Sequence, residues 1–106
     1  MIKIKIERKA GKIIAFSAEG HSDYKRKGED IVCAGISSIL QTATLGLKEY
    51  LRADVEIKKE IGNMMVRLKK FPTVENQAIL EAMLLGLEKI EKEYPEEVKI
   101  EVTIPK

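Results

Sequence analysis

The chain contains one histidine, His21, and one cysteine, Cys33, separated by a polar stretch within GHSDYKRKGEDIVCAGIS. A thiol and an imidazole are the working pair of a nucleophilic hydrolase: the base takes the thiol proton and the thiolate attacks a carbonyl carbon. A free thiol is mostly protonated at neutral pH, so this chemistry needs a local reason for the anion. Two reasons are available. Asp30 is a good N-cap for the apolar periodic segment that follows, which puts Cys33 in the first turn of a helix, where unpaired N–H groups and the macrodipole favour negative charge. His21 can supply an imidazolium beside it if the intervening loop returns to the helix start.

Acyl transfer also calls for an orienting group and for donors to the oxyanion. Asp30 could hold the second nitrogen of His21 or cap the helix, and the two roles compete. Ser37 lies about 40° around the helix from Cys33, one turn on, and could donate into the site. The N–H groups of Cys33 and its neighbours are candidates for the oxyanion hole. Gly20, Gly28 and Gly35 allow close backbone approach or loop movement. The segment Ser22, Asp23, Tyr24, Lys25, Arg26, Lys27, Gly28 and Glu29 has no periodicity and reads as a mobile loop. One His and one Cys fall short of the three or four N/S ligands of a zinc site, and no cofactor is expected. Outside such a pairing, a lone cysteine beside a core stripe is ordinarily a small buried hydrophobe and a lone histidine in a loop is ordinarily exposed.

The elements that must position these residues follow from the apolar pattern. Ile2, Ile4 and Ile6 alternate with Lys3, Lys5 and Glu7, which is a strand with one buried face. Ala10-Gly11 turns the chain into a second strand over 12–19, with Ile14, Phe16 and Ala18 inward. A helix is expected over about 31–52, its stripe made by Val32, Ile36, Ile39, Leu40, Ala43, Leu47, Tyr50 and Leu51. Strands over 54–61 and 64–70 join at Gly62-Asn63. Thr73 caps a second helix that runs to about Tyr94, with Ile79, Ala82, Met83, Gly86, Leu87 and Ile90 toward the core. Alternation at Val98, Ile100, Val102 and Ile104 gives a last strand. The order ββαββαβ predicts an α+β two-layer sandwich, one sheet of about five strands with two helices on one face, as a single domain over 1–106.

Composition narrows the function. The chain of 106 residues is 44% hydrophobic with only 5% aromatic, so its core is aliphatic. Nineteen basic residues against 17 acidic leave a net charge of +2, interspersed along the chain, which does not predict a nucleic-acid partner. One cysteine excludes an internal disulfide and fits a reducing compartment. The N-terminus alternates, unlike a signal peptide, and no stretch reads as a continuous apolar span of about 20 residues, so a cytoplasmic protein away from membranes is expected.

The paired blocks Gly20-His21-Ser22 and Gly28-Glu29-Asp30-Ile31-Val32-Cys33-Ala34-Gly35-Ile36-Ser37 resemble the ribosomal-processing cysteine proteases, the Prp family. Length and element order agree over essentially the whole chain. The resemblance implies a cysteine endopeptidase that removes the N-terminal extension of ribosomal protein twenty-seven of the large subunit. It implies Cys33 as nucleophile, His21 as general base, supporting places for Gly20, Asp30 and Ser37, the loop from Ser22 to Glu29 as the mobile segment over the substrate, and a homodimer. Ser22 stands where alanine is frequent. The competing expectation is a non-catalytic ribosome-associated module that binds RNA or protein, and a third is a redox-sensing thiol.

Overall fold

A computed structural model of the protein describes residues 1–20 and 29–104. The elements are β1 (Ile2–Lys9), β2 (Lys12–Glu19), α1 (Glu29–Leu45), β3 (Val55–Glu60), β4 (Asn63–Leu68), α2 (Val74–Glu93) and β5 (Val98–Thr103), in the expected order. The strands form one sheet, β3-β4-β2-β1-β5, antiparallel except where β5 lies parallel to β1. Ile2, Ile4, Ile6, Phe16, Ala18, Met64, Val66 and Val98 of the sheet meet Val32, Ile36, Leu40, Leu80, Met83 and Leu87 of the helices in one aliphatic core. The opposite face is wet. There Glu7 and Arg67 form a two-pronged ion pair, at 2.7 and 3.1 Å, over the small Ala15 that pairs with both of them.

The inward phase of β2 differs from the simple alternation. Ala10 and Gly11 both take positive φ, 51° and 79°, so the tight turn is the one whose twist suits a hairpin. Just beyond it the register shifts: Glu7 pairs with Ala15 while Arg8 pairs with Ile13, leaving Ile14 as the extra residue of a bulge. Ile13, not Ile14, is therefore buried. Such a bulge strands backbone polar groups in the core, and the side chain of Gln77 meets them. Its Oε1 accepts from the Ile13 N–H at 2.8 Å and its Nε2 donates to the Ile13 carbonyl at 2.7 Å. Arg8 then reaches over the helix side and grips Glu81 of α2 at 2.8 and 2.9 Å.

The buried line of α2 is Asn76, Gln77, Leu80, Met83, Leu84 and Leu87, rotated from the expected one. The residues expected inward include Ile79 and Ile90, which are half-buried because they face α1 instead. A Cβ on Gly46 would come within 3.1 Å of the Ile79 side chain and one on Gly35 within 3.4 Å of Ile90. In return Ile39 of α1 lies over Gly86 of α2, 3.3 Å from where its Cβ would be. The two helices thus run antiparallel with isoleucines set into glycines of the partner. Gly35 serves this packing, not loop movement.

Other boundaries moved for local reasons. After Leu45 the chain widens into a π-helical turn, Gly46–Tyr50, with the Leu51 N–H bonded to the Gly46 carbonyl at 3.0 Å. The extra residue per turn carries Tyr50 out of the expected stripe, to 83% exposure. The β3–β4 turn falls one residue early, so Ile61 is a turn residue and not part of a strand. The segment Ile31–Tyr50, with a mean hydropathy of 1.3, is long and apolar enough to cross a membrane by length and composition, contrary to the expectation from sequence. Its place against the sheet, with Val32, Ile36, Leu40 and Leu47 in the core, makes it the central helix of the fold.

Candidate active site

Gly20 ends β2 and leads into His21, and the structure explains why a glycine stands there. Its φ is +92°, and a Cβ would run into the Met1 carbonyl. On its other side the Gly20 N–H donates to the Gly62 carbonyl at 3.1 Å, tying the strand end to the β3–β4 turn. Gly62 itself has φ +79°. The backbone that presents His21 is therefore pinned between Met1 and the neighbouring hairpin. Met1 was not singled out from sequence, and Gly62 was read only as part of the turn between two strands. A Gly-bearing turn between two strands was the only signal, and nothing in spacing says that it meets Gly20.

Cys33 lies on α1, and its side chain is 7% exposed within the apolar core. It is more buried than a place on the border of the stripe suggests. The helix begins at Glu29, so the backbone of Asp30 lies within its first turn. Asp30 is not the N-cap expected from sequence. The same shift moves Cys33 into the fifth helical position, where its N–H has the Glu29 carbonyl as its i−4 partner. The expected oxyanion hole built on that N–H is withdrawn. The first-turn donors that remain free of intrahelical partners belong to residues ahead of Cys33. Ser37, half-buried, follows one turn later on the same flank.

His21 and the segment 22–28 lie outside the described residues, so the structure gives no His21–Cys33 distance. Among the described residues no group of three His, Cys, Asp or Glu side chains could hold a metal ion. What the described residues give is a thiol one turn into α1 and a strand end whose last residue before the histidine is locked in place. The family model for cysteine protease Prp matches residues 1–99 of this chain.

The chain belongs to the Prp family of cysteine proteases. Prp proteases process ribosomal proteins, and membership makes this chain a cysteine-type peptidase. That displaces the non-catalytic module weighed from the sequence. The chain is 36% identical over 93 residues to the ribosomal processing cysteine protease Prp of Staphylococcus aureus, covering 85% of this chain and 87% of that protein. The crystal structure of Prp from S. aureus in complex with a substrate peptide superposes with a TM-score of 0.90 at 29% identity, covering 97% of this chain and 100% of that one. A second crystal structure of the S. aureus protease, in complex with a covalently linked product peptide, gives 0.88 at 30% identity with the same coverage, 97% and 100%. The Prp fold is thus shared across the sheet, both helices and the corner that leads into His21.

Proposed function

We propose that this chain removes the N-terminal extension of ribosomal protein twenty-seven of the large subunit through a thioester intermediate on Cys33. The observation that carries the reading is the covalently linked product peptide of the S. aureus relative, set beside a chain that has only one thiol to offer. His21 takes the proton from Sγ as the thiolate attacks the scissile carbonyl, and returns it to the leaving amine. Water, deprotonated by the same imidazole, then cleaves the thioester and restores the thiol. Gly20 fixes the backbone ahead of His21. Ser37 and Asp30 act as supporting polar groups, and the segment 22–29 covers the bound peptide.

The burial of Cys33 supports a site that keeps water away from the thioester until the amine has left. The reaction belongs in the reducing cytoplasm, where a lone thiol persists. A homodimer is part of the same reading. It is supported by the outer side of the helix layer, where Ser38 and Thr42 of α1 share a shallow hollow with Ala82 of α2, and where Ala34, Leu45 and Leu85 are also exposed and uncharged on a chain that is 34% charged. Sedimentation equilibrium of wild type and Leu45→Glu tests it, and a monomer at micromolar concentration in both ends it.

The deciding experiment incubates the protein with a peptide spanning the extension, beside Cys33→Ala and His21→Ala, and reads cleavage by mass spectrometry. Wild type cleaves at one bond and both variants do not. Cleavage that survives in Cys33→Ala removes the thiol from the mechanism. Identical pH profiles of alkylation at Cys33 in wild type and His21→Ala remove the pairing.

A further inference from the structure

At the end of β2 remote from Gly20, a groove of about 790 Å³ opens between the β1–β2 turn and the chain that leaves β4. Lys9, Lys12, Lys69 and Lys70 border it, with Phe71 and Ile14 supplying apolar wall. No carboxylate lines this groove. Among the described residues none of the four lysines belongs to an ion pair. Lys12 lies in the field of Glu81, but that carboxylate is already held by both prongs of Arg8. Asp54 and Glu75 line a separate hollow on the other side of Lys70 and Phe71.

Two features make this more than a solvated surface. Lys9 and Lys12 are direct cross-strand partners, a like-charge pair that works against the hairpin. Phe71 is 89% exposed, the most exposed large apolar side chain among the described residues. Its backbone is held, since its carbonyl accepts from Asn76 at 3.5 Å and Asn76 is locked into the cap of α2. The Lys69 N–H is likewise held, by the Asp54 carbonyl at 3.0 Å. An exposed aromatic face on a held backbone, beside clustered ammonium groups, matches an unpaired base flanked by phosphates.

We infer that this groove binds single-stranded RNA, its phosphates on Lys9, Lys12, Lys69 and Lys70 and one base stacked on Phe71. The near-neutral charge of the whole chain hides the site, because acids outside the groove balance its lysines in the total while none of them lines it. The choice of RNA over DNA rests on the family's ribosomal role; the groove itself is independent of the peptidase centre, at the other end of a strand roughly 25 Å long.

Fluorescence anisotropy with a labelled 12-nucleotide single-stranded RNA tests it on the full chain. Binding at about 50 mM salt should weaken with a log–log slope near −3 if four phosphates are engaged, at about −0.7 each. Lys69→Glu/Lys70→Glu should weaken binding at least about tenfold and flatten the slope. Phe71→Ala should weaken it about fivefold or more with the slope unchanged. Lys3→Glu/Lys5→Glu, on the wet sheet face, should bind as wild type, and all variants should cleave peptide at the wild-type rate. No binding at low salt, an equal loss in Lys3→Glu/Lys5→Glu, or displacement of RNA by polyglutamate at equal charge overturns the proposal. Loss of peptide cleavage by the wild type alone would bear on the peptidase reading and leave this one standing.

Discussion

The two helices of this fold begin in contrasting ways. The start of α2 is closed: the Thr73 hydroxyl accepts from the Asn76 N–H at 3.0 Å, the Asn76 side chain accepts from the Thr73 N–H at 2.9 Å, and Gln77 beside them clamps Ile13 of β2. Its polar groups are spent on structure. The start of α1 carries Glu29 and Asp30, then a thiol one turn in, and is approached from a strand end pinned at Gly20. The same hairpin-then-helix unit thus serves stability once and chemistry once. The link from β4 to Thr73 is short, whereas the longer link from β2 to α1 carries the histidine.

If that division is right, substitutions at the two starts should separate cleavage from stability. The largest effect is Cys33→Ala, which should lower kcat by at least about 10³-fold while costing about 1 kcal/mol of stability; peptide turnover and a urea melt read both. Gln77→Leu should do the reverse. It leaves the Ile13 N–H and carbonyl buried without partners, a loss of roughly 3 kcal/mol in a urea melt, with turnover per folded molecule unchanged. A normal melt for Gln77→Leu would break the comparison. Gly20→Ala falls between the classes, because it strains a positive φ and pushes against Met1. About 2 kcal/mol of stability and a clear fall in kcat are expected together. Thr73→Ala should cost about 1 kcal/mol and leave turnover alone.

The smallest effect is on pH dependence. The Glu7 carboxyl is held below its usual value chiefly by the hydrogen bond from Arg67, and Glu81 chiefly by that from Arg8, desolvation opposing both. A carboxylate whose pKa is lower folded than unfolded contributes stability that is complete above its ordinary value of 4.5 and is lost as pH falls through the folded value. Arg67→Gln should therefore flatten the acid limb of the stability curve below that pH. Both pairs are partly solvated, so the change is small.

The residues showed most of this fold because each strand presents one apolar face and each turn has its glycine. Thr73 as a cap and Ala10-Gly11 as a turn follow from local chemistry alone. What could not be read depends on meetings between distant segments. The bulge that turns Ile13 inward is tolerable only because Gln77, far along the chain, can satisfy it. The rotation of α2 away from the Ile79 face reflects glycines on another helix. At the site, the pairing of His21 with Cys33 was suggested by residue type and by resemblance. The need for glycine at position 20, set by Met1, and the helix beginning ahead of Asp30 were not visible in spacing.

The isoleucines set into glycines between α1 and α2 have a consequence for how the thiol can drift. Ile90 at Gly35, Ile39 at Gly86 and Ile79 at Gly46 are spread along both helices and share one antiparallel alignment. A slide of α1 by even one residue would bring side chains against backbone at all three places together. The cysteine's depth relative to the sheet is therefore a property of the whole helix pair, indexed like a toothed rack: it can hold its place or jump, and small continuous adjustments are closed to it.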